Sequence, residues 1–185
     1  MKTVYRYCWC NFAVTGFPDG SEGIFGQREA ALLFEPAKLR VGSESYILID
    51  TNHWISGVEK APLNRRAWVF QERALSSRTI HFGRHQLFWE CTTYCASETF
   101  PEKLPFKMET LKGEDILSLK ERMKYDDNSL HIWFVLATYY NLLEITYERD
   151  RLAALSGIAQ YISSTASAEY VAGLWKTHPF WGQLH

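Results

Sequence analysis

With 185 residues, 46% of them hydrophobic, 15% aromatic and 22% charged, the chain can bury a core and is too apolar to be a disordered segment. A formal net charge of −1 excludes a global attraction to nucleic acid or to an anionic membrane surface. The longest apolar stretch, residues 132–137, is far short of the roughly 20 residues that span a bilayer, and residues 1–7 lack the apolar centre of a signal peptide, so a globular cytoplasmic protein is expected.

In chain order, residues 3–14 predict a short helix running into a strand. Tyr5, Trp9 and Phe12 share one helical face, while Cys10, Phe12 and Val14 share one strand face. Residues 16–26 form a turn-rich loop around Asp19-Gly20, and residues 32–39 are a connection broken by Pro36. Residues 46–50 read as a strand. Residues 64–75 predict a helix capped by Asn64, with Leu63, Ala67, Phe70 and Ala74 as its apolar stripe, widened by Trp68 and Leu75.

Residues 78–82 and 86–91 predict two strands joined by a turn at Gly83-Arg84. Leu87, Trp89 and Cys91 share one face of the second strand; Gln86, Phe88 and Glu90 share the other. About half of residues 102–127 are charged, which predicts a linker with a solvated helix over 114–124. A helix over 130–143 buries Ile132, Val135, Leu136, Tyr139 and Leu143, and a second over 150–163 buries Leu152, Leu155, Ile158, Ala159 and Ile162. A third, over 169–175, presents Tyr170, Leu174 and Trp175. The fold class is α/β or α+β.

Several residues could carry chemistry. The cysteines Cys8, Cys10, Cys91 and Cys95 lack zinc-knuckle spacing, so reduced thiols packed beside Trp9 and Trp89 are expected, with no metal. The glycines of residues 16–26 match neither phosphate-loop pattern. Glu72 and Glu90 are carboxylates beside aromatics, an arrangement that could stabilise an oxocarbenium-like transition state, with His81 as a proton carrier. A Cys91–His81 nucleophilic pair would require the two strands to align them. The structural alternative is stronger: Gln71, Glu72 and Arg73 fix the helix against the hairpin, and the arginines Arg65, Arg66, Arg73 and Arg78 pair with the acids. In that case Trp68 and Trp89 sit in the core, each worth about 3–5 kcal/mol on truncation to alanine.

Aromatics and ionisable groups interleave throughout residues 62–91, and this block resembles the signature of the fungal heterokaryon-incompatibility (HET) domain family. The matching residues are Arg65, Ala67, Trp68, Gln71, Glu72, Arg73, Trp89, Glu90 and Cys91. Residues 4–15 with Asp19-Gly20 to Phe25, residues 96–101, residues 146–159 and residues 169–175 resemble further parts of that family in the same order. The family's early "W-x-D-x-x-C-I-x-Q" motif has no counterpart here, so an N-terminally truncated member is expected.

The resemblance implies a partial Toll/interleukin-receptor-like HET domain over 1–100, the charged linker over 101–127, and a helical extension over 128–185 that packs on it. It implies a role in fungal non-self recognition and programmed cell death signalling, through protein partners such as other HET or signalling domains. No nucleic acid, membrane or cofactor is implied. Two alternatives remain. One is a NAD-cleaving glycohydrolase of the Toll/interleukin-receptor-like type, with NAD as its substrate; it would be incompetent if its site needs the missing half. The other is a non-functional gene fragment.

Overall fold

A computed structural model describes residues 2–21, 24, 37–48, 50, 52–105, 129–166 and 168–176, in a mixed arrangement of helices and small sheets. The chain divides into two compact units that interleave along the sequence. Residues 1–11, 65–77 and 114–185 form the first, and residues 12–64 and 78–113 the second. No helix among the described residues is long and apolar enough to cross a membrane.

The first unit contains α1 (Lys2–Tyr7), α2 (Ala67–Leu75), α3 (Ser129–Asn141) and α4 (Arg151–Ala166). Its core joins Phe70 and Ala74 of α2, Ile132, Trp133, Leu136 and Tyr140 of α3, and Leu155, Ile158 and Ile162 of α4. Burying each large apolar side chain contributes about 1.5–3 kcal/mol. The face of α3 is turned slightly from the expected one: Trp133 and Tyr140 are buried, while Val135, Tyr139 and Leu143 are only partly so. Leu152, expected inside, is 55% exposed, while Ala154 in the same turn is buried.

Asn64 does not cap α2. The helix starts after Arg66, whose side chain makes no cap. Instead Glu144 Cα-pairs with Arg66 across a bridge: the Ala67 N–H donates to the Glu144 carbonyl at 2.8 Å, and the Glu144 N–H donates to the Arg65 carbonyl at 2.8 Å. A long-range strand-like contact thus satisfies a helix start that a local side chain would otherwise serve. The helix expected over 169–175 is a hairpin, β7 (Tyr170–Val171) with β8 (Leu174–Trp175). Ala172 at φ 47° and Gly173 at φ 104° turn it; two successive left-handed residues make a tight hairpin turn and end any helix.

The second unit is built on a sheet ordered β1-β4-β5-β6, comprising β1 (Asn11–Ala13), β4 (Arg78–Phe82), β5 (Leu87–Cys91) and β6 (Cys95–Ser97). The expected helix-into-strand at the start and the β4–β5 hairpin are both present; β6 is an addition. A separate hairpin pairs β2 (Lys38–Val41) with β3 (Glu44–Ile47). Residues 38 and 39, the end of the expected connection, thus belong to a strand, and the strand expected over 46–50 runs from Glu44 to Ile47. The helix expected over 114–124 lies outside the described residues.

Candidate functional site

Alternation along β4 and β5 turns Thr79, His81, Phe88 and Glu90 to one side. This places His81 opposite Ile80 and Phe82, as the sequence predicts, and His81 and Glu90 are both fully buried. The register sets Thr79 against Glu90 and His81 against Phe88, so the imidazole meets the carboxylate diagonally, with Nε2 3.1 Å from Oε2. Nδ1 lies 2.9 Å from the Thr15 hydroxyl. That hydroxyl donates its single proton to the Ala13 carbonyl at 3.0 Å, so it accepts from an Nδ1–H. One proton then lies on the Nε2–Oε2 line, either as imidazolium with carboxylate or as imidazole with carboxyl. Trp54 stands edge-on to both His81 and Phe88, at 6.1 and 5.9 Å between ring centres. Two candidate residues are thus brought together, but inside the core.

The remaining candidates separate. Glu72 is in the first unit, half-buried against Tyr5. Burial holds its carboxyl above the usual range, with the Tyr5 hydroxyl and then Arg66 pulling it back. The Tyr5 phenol is pushed up to about 12 by burial first and then by that hydrogen bond. The Gln71 Oε1 accepts the Gly157 N–H of α4 at 2.7 Å. Ala67 and Arg73 are buried in the same unit, Arg65 is exposed, and Trp68 is only partly buried. Trp89 too is only partly buried, so neither indole is the deep core residue expected.

Cys91 faces Arg78 in the register rather than His81, which removes the Cys–His pair. Burial pushes its thiol up, but hydrogen bonds from Thr93 and from the Tyr94 backbone outweigh that and leave it below the ordinary value. Trp9 is 82% exposed. No group of three His, Cys, Asp or Glu side chains that could hold a metal ion occurs among the described residues.

The second unit also has a cleft of about 550 Å³, which sequence reasoning missed. It is lined by the segment after Asp50, by the β4–β5 turn and by Phe88. The Asp50 carboxylate accepts the Asn52 N–H at 2.9 Å and starts a short helical segment, whose Ile55–Glu59 portion is a π turn. Gly57 allows that turn to lie against Phe88: a Cβ there would meet the ring at 2.3 Å. His53 lines the cleft, lies 5.2 Å from the Phe88 ring centre, and puts Nε2 2.9 Å from the Ser97 hydroxyl. Burial pulls its pKa below 6.5, against a smaller opposite pull from Asp50. Asx-turn spacing before an aromatic pair was the only sequence signal for this cleft, and it is weak.

Neither His81 nor Glu90 lines the cleft. No family model, curated protein or solved structure matches the chain.

Proposed function

We propose that this chain is a HET-like module of fungal non-self recognition and cell death signalling, which acts by binding protein partners and has a Toll/interleukin-receptor-like ancestry. The resemblance of residues 62–91 to the family signature suggests the lineage. The observation that carries the interaction reading is the β2–β3 hairpin. Leu39 and Tyr46 face each other across it, Val41 and Leu48 extend the same side, and all four are exposed. Apolar side chains clustered in water mark contact surfaces. Expression in a filamentous fungus should arrest growth, and Val41→Glu with Tyr46→Glu should abolish the arrest while leaving the protein folded. Equal killing by wild type and variant, or none by wild type, would overturn the reading; a non-functional fragment gives the second result.

The NAD-cleaving alternative draws on the cleft, where Asp50 supplies a carboxylate beside aromatic rings. The signature acids are poorly placed for it, since Glu90 is sealed against His81 and Glu72 is engaged with Tyr5. Incubation of the purified protein with NAD is expected to release no nicotinamide. Release that vanishes in Asp50→Asn would establish the enzyme at the cleft. Release that vanishes in Glu72→Gln or Glu90→Gln would assign it to the signature.

A further inference from the structure

The β2–β3 hairpin belongs to the second unit, and all of its strand residues are exposed. Among the described residues no third strand joins it, and a two-stranded hairpin alone in water is marginally stable. Its register fixes which backbone groups are left over. The Leu48 N–H donates to the Ala37 carbonyl at 2.8 Å, so Ala37 and Leu48 form a bonded pair. Bonded and unbonded pairs alternate along an antiparallel ladder. Leu39–Tyr46 and Val41–Glu44 are therefore bonded too, while Lys38–Ile47 and Arg40–Ser45 turn their N–H and C=O groups outward. The β2 edge thus presents the backbone of Lys38 and Arg40, and the β3 edge that of Ser45 and Ile47.

The two edges differ in charge. On the β2 edge, a second copy approaching antiparallel about a two-fold axis at Leu39 would set Lys38 against Arg40 of the other copy, twice over. Like charges directly opposite destabilise a strand pair, and cations on an edge guard against such pairing. On the β3 edge the axis falls at Tyr46. Ser45 of each copy then meets Ile47 of the other, and every outward N–H and C=O of the two β3 strands finds a partner. Tyr46 stands opposite its own symmetry mate and Glu44 opposite Leu48, so no like charges meet. Tyr46 is 52% and Ile47 59% exposed, so apolar surface is covered as these bonds form. The cationic β2 strands are left on the outside, where they oppose further addition, and the two-fold closes the assembly at two copies.

We propose that two copies of this chain pair through β3, antiparallel and centred on Tyr46, to make a four-stranded sheet in the order β2-β3-β3-β2. This names a partner for the contact surface described above and rests on that reading of the hairpin. Sedimentation velocity on the full chain over a wide concentration range should show a reversible monomer–dimer equilibrium, since so small an interface belongs to the transient class.

Ser45→Pro removes one outward N–H from each copy and no bond of the hairpin itself, and should weaken the dimer by about ten-fold or more. Arg40→Pro, the matched change on the β2 edge, should leave the dimer unchanged. Tyr46→Lys sets two cations face to face across the axis, and Tyr46→Glu two anions. Each should sediment as a monomer alone, and the two should pair when mixed. If Ser45→Pro loses its fold by circular dichroism, the mixing experiment decides. A monomer at every concentration, assemblies larger than two, equal effects of the two prolines, or no pairing on mixing would overturn the proposal. A monomer that still arrests fungal growth through Val41 and Tyr46 sinks the pairing alone. A dimer that forms through Tyr46 and arrests nothing sustains the pairing and sinks the signalling reading.

Discussion

The two units bury different chemistry. In the first, the described core is aliphatic and aromatic, with Phe70 stacked on Tyr139 at 5.6 Å and Trp133 edge-on to Trp175 at 5.5 Å. Among the described residues its buried polar side chains are Gln71, Arg73 and Ser76. In the second, Thr15, Asn64, Thr79, His81, Gln86, Glu90 and Ser97 are all buried among a smaller set of apolar groups. An apolar core is held by non-directional burial and tolerates a change of shape at graded cost. A polar core is held by partners, and removing one strands the other. The first unit should therefore respond to lost volume, and the second to lost hydrogen bonds.

The largest effects test that contrast directly. Glu90→Ala removes the carboxylate that meets the His81 Nε2 in a fully buried place and should cost about 3–5 kcal/mol. Glu90→Gln retains a hydrogen-bonding side chain and should cost clearly less, as read by urea denaturation. In the first unit, Trp133→Ala removes a side chain 1% exposed, and should cost about 3–5 kcal/mol through the cavity alone. Trp68→Ala, at a partly buried indole on the rim of the same core, should cost visibly less. Equal costs for Glu90→Ala and Glu90→Gln would show that volume, not the partner, governs the second core.

The sequence made some of this legible and hid the rest for physical reasons. Period-two alternation set His81 opposite Ile80 and Phe82 and set Glu90 with Phe88 on one face of its strand, but it took the register of the two strands to bring His81 and Glu90 to the same side. It could not reveal that the pair would be sealed, since burial depends on Trp54, which reaches His81 from a distant segment. Helix α2 was visible from its stripe, but its start was set by Glu144, far away in the chain. The β7–β8 hairpin was misread as a helix because its turn contains Ala172 at positive φ, a conformation alanine rarely adopts and no propensity announces. The cleft was hidden because its walls come from segments that are individually ordinary.

A smaller effect concerns the approach of α4 to α2. A Cβ on Gly157 would lie 2.5 Å from the Gln71 Oε1, which is itself buried and bonded to the Gly157 N–H. Gly157→Ala gains about 1 kcal/mol of helix propensity but displaces that bond and overpacks the contact at about 1–3 kcal/mol. A net loss near 1 kcal/mol is expected. In Gln71→Ala, which vacates the space, the same glycine substitution should become stabilising. A double-mutant cycle by thermal unfolding checks the reversal of sign.

The smallest effect separates the units by acidity. Glu72 in the first unit is held above its ordinary 4.5. A raised carboxyl favours the fold most when protonated, so this contribution is full below pH 4.5 and fades as pH rises through the folded value. His53 in the second unit is held below its ordinary 6.5, so its contribution is full above pH 6.5 and is lost as pH falls through the folded value. Acidification should therefore loosen the second unit through His53 while Glu72 favours the first. Hydrogen exchange followed residue by residue between pH 7 and pH 4 should show protection falling in β4 and β5 relative to α2. His53→Phe should reduce that fall, and Glu72→Gln should leave it unchanged while flattening the profile of α2. Protection that falls in parallel in both units, whichever residue is replaced, would mean that other groups set the acid response and that the two cores do not differ in this respect.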